Sequence, residues 1–254
     1  MTALLSVRGL HRSYYGVVAL GGLDLDVQAG TITALIGPNG AGKTTAFQCI
    51  SGVVPPDGGT VTFDGTDITS WRPDRITRRG LIRTFQIARG IPRLSVMQNL
   101  MLYAPRQPGE RVLPAILGTG AAREEELRLK AIGVARRLNL LRVADSAAAD
   151  LSGGQKKLLE IGRALMAEPR MIMLDEPIAG VNPTLSEEIA EAIRGLRDDG
   201  LTFLIIEHHM DVVARLCDPV VVMAEGRKLT EGSFRAVADD PAVQEAYMGR
   251  RRWA

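Results

Sequence analysis

One eight-residue stretch restricts the possible folds of this chain more than any other part of the sequence. It has the pattern G-x-x-x-x-G-K-T and consists of Gly37, Pro38, Asn39, Gly40, Ala41, Gly42, Lys43 and Thr44. The apolar run 32–36 before it predicts a buried strand, and a helix is predicted to begin near Gly42 and to run through Ile50. A strand, this loop and a helix in that order are typical of a phosphate-binding loop.

The residue types in this loop have physical reasons to bind a phosphate chain. Glycines allow the backbone to bend so that successive N–H groups face inward around an anion, and the start of the helix adds a partial positive charge. We expect Lys43 to reach the β- and γ-phosphates of a nucleotide, the Thr44 hydroxyl to bind Mg²⁺, and Thr45 to bind phosphate together with the loop. An ordinary glycine turn with an incidental lysine is the alternative, and the flanking strand and helix disfavour it.

Length and composition exclude several classes of protein. The 254 residues suffice for one large α/β domain, or for a core with a subdomain. A net charge of +2 does not suggest a nucleic-acid-binding protein, which usually carries a strongly basic face. Cys49 and Cys217 lie far apart in apolar surroundings, so we expect reduced core residues of a cytoplasmic protein. With neither a signal peptide nor an apolar run of membrane-spanning length, the chain is expected to work at a membrane only through partners.

Strand and helix patterns alternate along the rest of the chain, which predicts a mostly parallel α/β sheet. Further strands are predicted over residues 4–10, 20–27, 60–63, 82–86, 171–174, 201–206 and 219–223. Further helices are predicted over residues 73–79, 95–102, 123–141, 186–199 (with Gly200 as its C-terminal cap) and 241–252. From about residue 88 to 150 the periodicity is helical and strand patterns are weak, which predicts a helical subdomain inserted in the core.

A second motif opens another predicted helix, and it consists of Leu151, Ser152, Gly153, Gly154 and Gln155. Ser152 followed three residues later by Gln155 is a capping-box pattern, and a helix start needs nothing more. Inside a helix each glycine costs about 1 kcal/mol relative to alanine, which makes sense if something must approach the backbone closely. A glycine-lined helix start capped by serine suits a phosphate. Two phosphate sites in one chain suggest a nucleotide that is shared between two copies.

These motifs resemble those of the ATP-binding subunits of ABC transporters. Residues 151–155 match the LSGGQ signature of that family without a substitution, and the resemblance covers nearly the whole chain. It implies one ABC ATPase domain over residues 1–254, with a P-loop NTPase core of mostly parallel sheet, an antiparallel β subdomain and an inserted helical subdomain. The core with the β subdomain would take approximately residues 1–87 and 168–254, and the helical subdomain with the signature approximately residues 88–167.

Other residues match positions that have catalytic roles in the family. Residues 171–176 resemble the Walker B strand, where Asp175 would hold Mg²⁺ through water and Glu176 would accept a proton from the attacking water. A solvated strand end is the alternative for this acidic pair, and the buried strand before it disfavours that alternative. Gln86 resembles the glutamine that contacts Mg²⁺ or the attacking water and senses the membrane partner.

A histidine pair and a tyrosine pair each present two choices. His208 follows a predicted strand, where the family places a histidine that contacts the γ-phosphate. Its spacing from the strand favours it over His209, which we expect at the surface. Tyr14 resembles the aromatic residue that stacks on adenine, Tyr15 is the second choice, and packing alone would explain either tyrosine.

The sequence departs from the family pattern after the Walker B strand. Asn182 stands where many members of the family have an aspartate. Asparagine can still hydrogen-bond across a dimer, but it carries no charge. An anionic role across the subunit boundary is therefore not expected of this residue.

Three stretches resemble the importers of branched-chain amino acids within the family, namely residues 83–86, 179–183 and 243–249. Importers of urea or short amides, and the ATPase of lipopolysaccharide export, share parts of this pattern. No residue is expected to touch the transported solute, so the solute is inferred from resemblance and not from chemistry. A soluble ABC ATPase acting on DNA or ribosomes usually carries long coiled coils or two cassettes, and a P-loop kinase or GTPase would not need residues 151–155.

The resemblance implies an ATPase coupled to transmembrane transport, with ATP and Mg²⁺ bound. It implies a head-to-tail dimer with two ATP sites, each formed by the phosphate loop of one subunit and the signature of the other. The implied partners are a second ATP-binding subunit (the same chain or a paralogue), two integral membrane permease subunits and, indirectly, a solute-binding protein. The chain would lie peripherally on the cytoplasmic face of the inner or cell membrane, and no nucleic-acid partner is expected.

Overall fold

The computed structural model of this chain describes residues 3–84, 91–105, 107 and 121–248. Its strands are β1 (Leu5–Tyr14), β2 (Val17–Val27), β3 (Ile32–Ile36), β4 (Gly58–Phe63), β5 (Thr66–Asp67), β6 (Leu81–Arg83), β7 (Met171–Asp175), β8 (Thr202–Ile206), β9 (Val220–Ala224) and β10 (Arg227–Gly232). Its helices are α1 (Lys43–Ile50), α2 (Pro73–Arg78), α3 (Val96–Leu102), α4 (Ala121–Arg137), α5 (Gly153–Met166), α6 (Pro183–Asp198), α7 (Met210–Leu216), α8 (Phe234–Ala238) and α9 (Pro241–Met248).

A six-stranded sheet with the order β10-β9-β3-β8-β7-β6 forms the centre of the fold. The pairs from β9 to β6 are all parallel, and β10 adds an antiparallel edge. Every residue of β3, β7 and β8 is buried, as expected for strands that are covered on both faces of a parallel sheet. The prediction of a mostly parallel α/β sheet is confirmed.

A second sheet, with the order β2-β1-β4-β5, is antiparallel throughout. The side chains of β1 alternate between its two faces, which buries Leu5 and Val7. An irregularity in the pairing between Val7 and Leu10 brings Leu10 to the buried face as well. These side chains belong to one hydrophobic core together with Phe47 of α1 and Leu204 of β8. The helix after the phosphate loop is therefore fixed by the same core that holds both sheets.

The chain forms two compact units, and each can be described by itself. The first unit takes in the described chain up to Arg83, residues 170–177 and the described chain from Arg194 onward. The second takes in the described parts of residues 84–169 together with residues 178–193. The boundaries predicted from the sequence place residues 178–193 with the core, whereas in the structure this segment belongs to the second unit. There, Leu185 of the segment packs directly on Gly154 of α5.

In the second unit, close helix packing and one buried amide hold the elements together. A methyl group on Gly162 of α5 would lie 2.8 Å from the Leu100 side chain of α3, so this leucine packs directly on the α5 backbone. Asn99 of α3 is fully buried, and its Oδ1 accepts a hydrogen bond of 3.0 Å from the N–H of Ile91. Its Nδ2 donates to the carbonyls of Ile91, Leu94 and Ser95 at 3.0–3.2 Å. This one side chain therefore fixes the segment that leads into α3.

Several element boundaries differ from those predicted, for local reasons. Helix α4 ends at Arg137, before the predicted end, and Asn139 then takes a positive φ of 55°. Helix α6 begins at Pro183, earlier than predicted, because the Oδ1 of Asn182 accepts a hydrogen bond of 2.9 Å from the N–H of Leu185. Gly200 follows α6 with a φ of 96°, as predicted for a C-terminal glycine.

Four of these short elements were not predicted: β5, α7, β10 and α8. The predicted continuation of β6 to Gln86, most of the predicted loop over 105–120 and the end of the predicted helix 241–252 lie outside the described residues. Within the described ranges, none of the helices combines the length and the apolar character that a membrane span requires.

The two cysteines are free and buried, as predicted. Burial raises the pKa of the Cys49 thiol to about 11 and that of the Cys217 thiol to about 12. At that pKa only about one Cys49 thiol in a thousand would be ionised at pH 8.

Reactivity toward a thiol reagent tests this placement, because the thiolate is the reactive form. We expect neither thiol of the folded protein to react with dithionitrobenzoate at pH 8 within minutes, and both to react at once in urea. Glutathione serves as the control thiol, and rapid reaction of the folded protein would contradict the buried placement.

Candidate functional site

Three chain segments meet at one edge of the six-stranded sheet, in the first unit. The phosphate loop follows β3, Glu176 follows β7, and Glu207 with His208 follows β8. Because β3 and β7 are both parallel neighbours of β8, the carboxyl ends of the three strands lie side by side. Ligands of open parallel sheets bind at this edge, which makes the side chains there the candidate site.

The backbone of the phosphate loop is shaped for an anion. Gly40 and Gly42 have φ values of 81° and 97°, a region that side-chain-bearing residues rarely adopt. A methyl group on Gly42 would also lie 2.4 Å from the carbonyl oxygen of Ala19. Helix α1 has no side-chain cap and no acidic residue in its first turn. The first N–H groups of α1 are therefore not capped by a side chain, which suits a phosphate at this helix start.

Lys43 is buried inside the loop that it belongs to. Its Nζ donates hydrogen bonds to the carbonyl oxygens of Gly37 at 2.8 Å and Pro38 at 3.0 Å. Burial lowers the pKa of Lys43, and the nearby carboxylates of Glu176 and Asp175 oppose that shift. Thr44 is exposed and Thr45 is half-buried, both in the first turn of α1. The lysine cation therefore lies within the electrostatic reach of both acidic residues at the end of β7.

Glu176 and His208 are brought together from the ends of neighbouring strands. His208 Nε2 lies 3.1 Å from Glu176 Oε1. Glu176 has a φ of 52°, which is unusual for a residue with a side chain, and its N–H donates a hydrogen bond of 3.0 Å to the carbonyl of Ile206. Backbone strain of this kind persists only where the surroundings enforce it, and it is concentrated at functional sites. The β8 backbone thus holds Glu176 in the orientation that meets His208.

Glu207 organises the turn that carries the two histidines. Its side chain is 2% exposed, and its Oε2 accepts hydrogen bonds from the N–H groups of His208 at 3.0 Å and His209 at 3.4 Å. The same oxygen lies 3.1 Å from His209 Nδ1. His208 is therefore directed to Glu176, whereas the exposed His209 ring is held by Glu207. Sequence reasoning did not identify Glu207, although an acidic residue directly after a buried strand was an available indication.

Asp175 is buried at the end of β7, where Arg83 of β6 lies opposite it. Arg83 Nη2 is 3.3 Å from Asp175 Oδ2. Burial raises the pKa of Asp175, and the charge and the hydrogen bond of Arg83 oppose that rise. The sequence analysis did not predict this pairing. The third residue predicted to act on the metal ion, Gln86, lies outside the described residues.

The aromatic residues near the loop differ in their surroundings. Tyr14 ends β1, and the guanidinium carbon of Arg12 lies 4.8 Å from the centre of its ring. Tyr15 is fully exposed in the turn after β1. Burial raises the pKa of the phenol of Tyr247 on α9, and the neighbouring Gly37 backbone opposes that rise; this tyrosine was not predicted.

The second motif begins α5 with a capping box, as its sequence predicts. Ser152 Oγ accepts a hydrogen bond of 3.3 Å from the N–H of Gln155, and Gln155 Oε1 accepts one of 2.9 Å from the N–H of Ser152. The two glycines between them differ. A methyl group on Gly154 would overlap Leu185 of α6, whereas a methyl group on Gly153 would meet nothing within 4 Å. Packing against Leu185 thus explains why residue 154 is glycine. Of the two glycines, Gly153 is the one that faces open space.

The described side chains alone do not form a metal cage. In the described ranges no three histidine, cysteine or acidic residues cluster in a way that would hold a metal ion. Mg²⁺ usually binds through one or two carboxylates together with substrate phosphates, and it does not require such a cage. The exposed Thr44 hydroxyl and the Asp175 carboxylate are therefore a donor set that fits Mg²⁺ carried by a nucleotide.

Comparison with known proteins gives consistent matches over most of the chain. Residues 20–179 match the family described as ABC transporter, and residues 227–252 match that described as branched-chain amino acid ATP-binding cassette transporter. The chain is 41% identical over 246 residues to a probable branched-chain amino acid transport ATP-binding protein, LivG, of Archaeoglobus fulgidus, covering 97% of this chain and 95% of that protein.

Solved structures of ATP-binding cassettes have folds similar to that of this chain. The ADP conformation of an ATP-binding cassette of an ABC transporter is 37% identical with a TM-score of 0.85, covering 98% of this chain and 100% of that one. A dimeric cassette in a post-hydrolysis state, bound to ADP and Pi, is 25% identical with a TM-score of 0.75, covering 91% of this chain and 99% of that one.

The contrast between the two glycines can be tested by substitution. We expect Gly154→Ala to lower the free energy of unfolding by about 1–3 kcal/mol, because the new methyl group overpacks against Leu185. Gly153→Ala is the matched control and is expected to leave stability unchanged or slightly higher, since alanine favours a helix. Urea unfolding of both variants and of the double variant Gly154→Ala/Leu185→Ala measures the effect. The double variant should recover part of the loss, and equal stability of the two single variants would contradict the packing explanation.

Proposed function

Because this chain belongs to the ABC transporter family, whose ATP-binding cassettes hydrolyse ATP to drive transport, we propose that it is the ATPase subunit of a membrane importer of branched-chain amino acids. The observation that carries this proposal is the contact between Glu176 and His208, 3.1 Å apart beside the phosphate loop. A carboxylate and an imidazole held together next to a phosphate site form a suitable group for activating water.

Nucleotide binding is assigned to the loop and to the start of α1. Gly37 to Thr44, with Thr45, would surround the β- and γ-phosphates with backbone N–H groups, and Lys43 would exchange its two loop carbonyls for phosphate oxygens. The exposed Thr44 hydroxyl and Asp175, with Gln86, would hold Mg²⁺. When bound, Mg²⁺ would neutralise charge on the β- and γ-phosphate oxygens. Tyr14 is proposed to stack on adenine, with Tyr15 as the alternative.

Hydrolysis is assigned to the pair at the ends of β7 and β8. Glu176 would accept a proton from a water molecule while the oxygen of that water forms a bond to the γ-phosphorus. The bond between that phosphorus and the bridging oxygen breaks, and ADP leaves with the electron pair. His208 would orient the Glu176 carboxylate and contact the γ-phosphate. The hydrogen bond from the Glu176 N–H to Ile206 fixes the backbone and the contact with His208 holds the carboxylate, and both support this assignment.

The complete ATP site is proposed to need a second cassette. Ser152, Gly153, Gly154 and Gln155 would contact the nucleotide bound to the other subunit, and the open surroundings of Gly153 leave room for such an approach. The similar dimeric cassette with ADP and Pi supports an arrangement in pairs. ATP would close the pair and hydrolysis would reopen it, because the contacts to the γ-phosphate exist only in the closed state.

The transport role is drawn from the relatives. The match of residues 227–252 and the similarity to a branched-chain amino acid transport protein support that class of solute over urea, amides or lipopolysaccharide. We propose that the cassette lies on the cytoplasmic face of the membrane, bound to two permease subunits that work with a solute-binding protein.

Substitution of Glu176 tests the catalytic assignment. We expect Glu176→Gln to bind ATP with unchanged affinity but to hydrolyse it at least about 100-fold more slowly, because the amide cannot accept the proton. Glu225→Gln is a matched control, since Glu225 also follows a strand directly and has a positive φ of 49°, yet is exposed. Phosphate release and binding of a fluorescent ATP analogue give the two measurements. A near-normal rate for Glu176→Gln would remove this residue as the base.

Purification from the native cells tests the transport role. The chain should be recovered in mild detergent with two very apolar multi-span proteins, and a second ATPase subunit if the pair is a heterodimer. In vesicles with the solute-binding protein, leucine or valine should stimulate ATP hydrolysis and be taken up, whereas urea should do neither. Recovery with ribosomes or DNA-bound proteins and no membrane proteins would overturn the transport role.

A further inference from the structure

Arg83 is a buried cation at the edge of the six-stranded sheet. It is the last residue of β6, its side chain is 9% exposed, and its Nη2 lies 3.3 Å from Oδ2 of Asp175, which is 6% exposed. The pairing of β6 with β7 is parallel, with Arg83 opposite Met173. The long Arg83 side chain therefore extends along the sheet, and its guanidinium reaches the carboxylate at the end of the neighbouring strand β7.

The same guanidinium also reaches the helix of the phosphate loop. Its central carbon lies 5.8 Å from the centre of the Phe47 ring, and Phe47 is fully buried on α1. A guanidinium can pair with a carboxylate and lie over an aromatic ring at once, because it is planar and weakly hydrated. Arg83 thus contacts both elements that would carry the metal ligands, α1 with Thr44 and β7 with Asp175.

A buried carboxylate needs such a partner. Removing one partner of a buried ion pair leaves the other charge uncompensated, so that the remaining group rotates, attracts water or loses its charge. Asp175 lies within the electrostatic reach of Lys43 and accepts a hydrogen bond from Arg83. Groups that orient a metal ligand in this way typically change metal affinity when they are removed.

We propose that Arg83 is a positioning residue that holds the Asp175 carboxylate in place for the Mg²⁺ of the nucleotide. It fixes the carboxylate through Oδ2 and is itself fixed by the Phe47 ring. This inference rests on the proposed function and adds to it a residue that neither binds nucleotide nor touches the reacting water.

The test separates metal binding from folding and from catalysis. In Arg83→Met the side chain keeps an unbranched apolar stem but loses the guanidinium and its charge. Arg79→Met is the control, because Arg79 forms an exposed ion pair with Asp64. Binding of a fluorescent ATP analogue is titrated with Mg²⁺, and thermal unfolding is measured without nucleotide. We expect the Mg²⁺ concentration at half-saturation to rise about 10- to 100-fold in Arg83→Met and to stay unchanged in Arg79→Met. Binding of the analogue without Mg²⁺ should stay as in the wild type.

Each outcome has a distinct meaning. A lower unfolding temperature with an unchanged Mg²⁺ midpoint would overturn the proposal and leave Arg83 as a purely structural residue. If Arg83→Met does not fold, Arg83→Gln carries the test, because it keeps a polar side chain at this buried position but removes the charge opposite Asp175. A raised midpoint in that variant supports the proposal, and an unchanged one overturns it. A wild-type protein that neither binds the analogue nor hydrolyses ATP would instead contradict the proposed function.

Discussion

The parallel register around Ile206 is the constraint on which the candidate site depends. This residue lies opposite Leu35 of β3 on one side and opposite Asp175 of β7 on the other. Its carbonyl also accepts the hydrogen bond from the N–H of Glu176. Since a register shift by one residue turns every side chain to the other face of a sheet, this pairing alone decides whether Asp175 and Glu176 reach the phosphate loop. The fully buried strands make such a shift very costly.

Charge balance is the second requirement of the site. Lys43, Asp175 and Glu207 are all buried, and a buried charge is tolerated only when it is paired or hydrogen-bonded. Lys43 is satisfied by two loop carbonyls, Asp175 by Arg83, and Glu207 by backbone N–H groups and His209. Each solution also fixes a position, so the same interactions that make burial possible hold the functional groups in place before a nucleotide binds. Such preorganisation costs nothing at the moment of reaction.

Local patterns in the sequence were sufficient for much of this structure. The strand, loop and helix at residues 32–50, the capping box at Ser152 and the buried strand before Asp175 are each encoded by neighbouring residues, and all three are found. The pairing of Arg83 with Asp175 joins residues 92 positions apart and has no local pattern. The packing of Leu185 on Gly154 also has no local pattern. It explains why one of the signature residues is glycine, whereas sequence reasoning attributed both glycines to the approach of a ligand. Helix α6 began early because Asn182 caps it, a role that asparagine performs as well as aspartate does.

The C-terminal stretch that matches the branched-chain amino acid cassettes is part of the ATPase core and not an appendage to it. Its described portion forms β10, α8 and α9 in the same compact unit as the phosphate loop. Gly226, directly before it, donates a hydrogen bond to the carbonyl of Ala41 and accepts one from the N–H of Gly21, while Tyr247 within it lies beside the Gly37 backbone. The hydrogen bond from Gly226 to Ala41 therefore ties the start of this stretch to the phosphate loop. The way in which the stretch packs can thus act on how the loop is held.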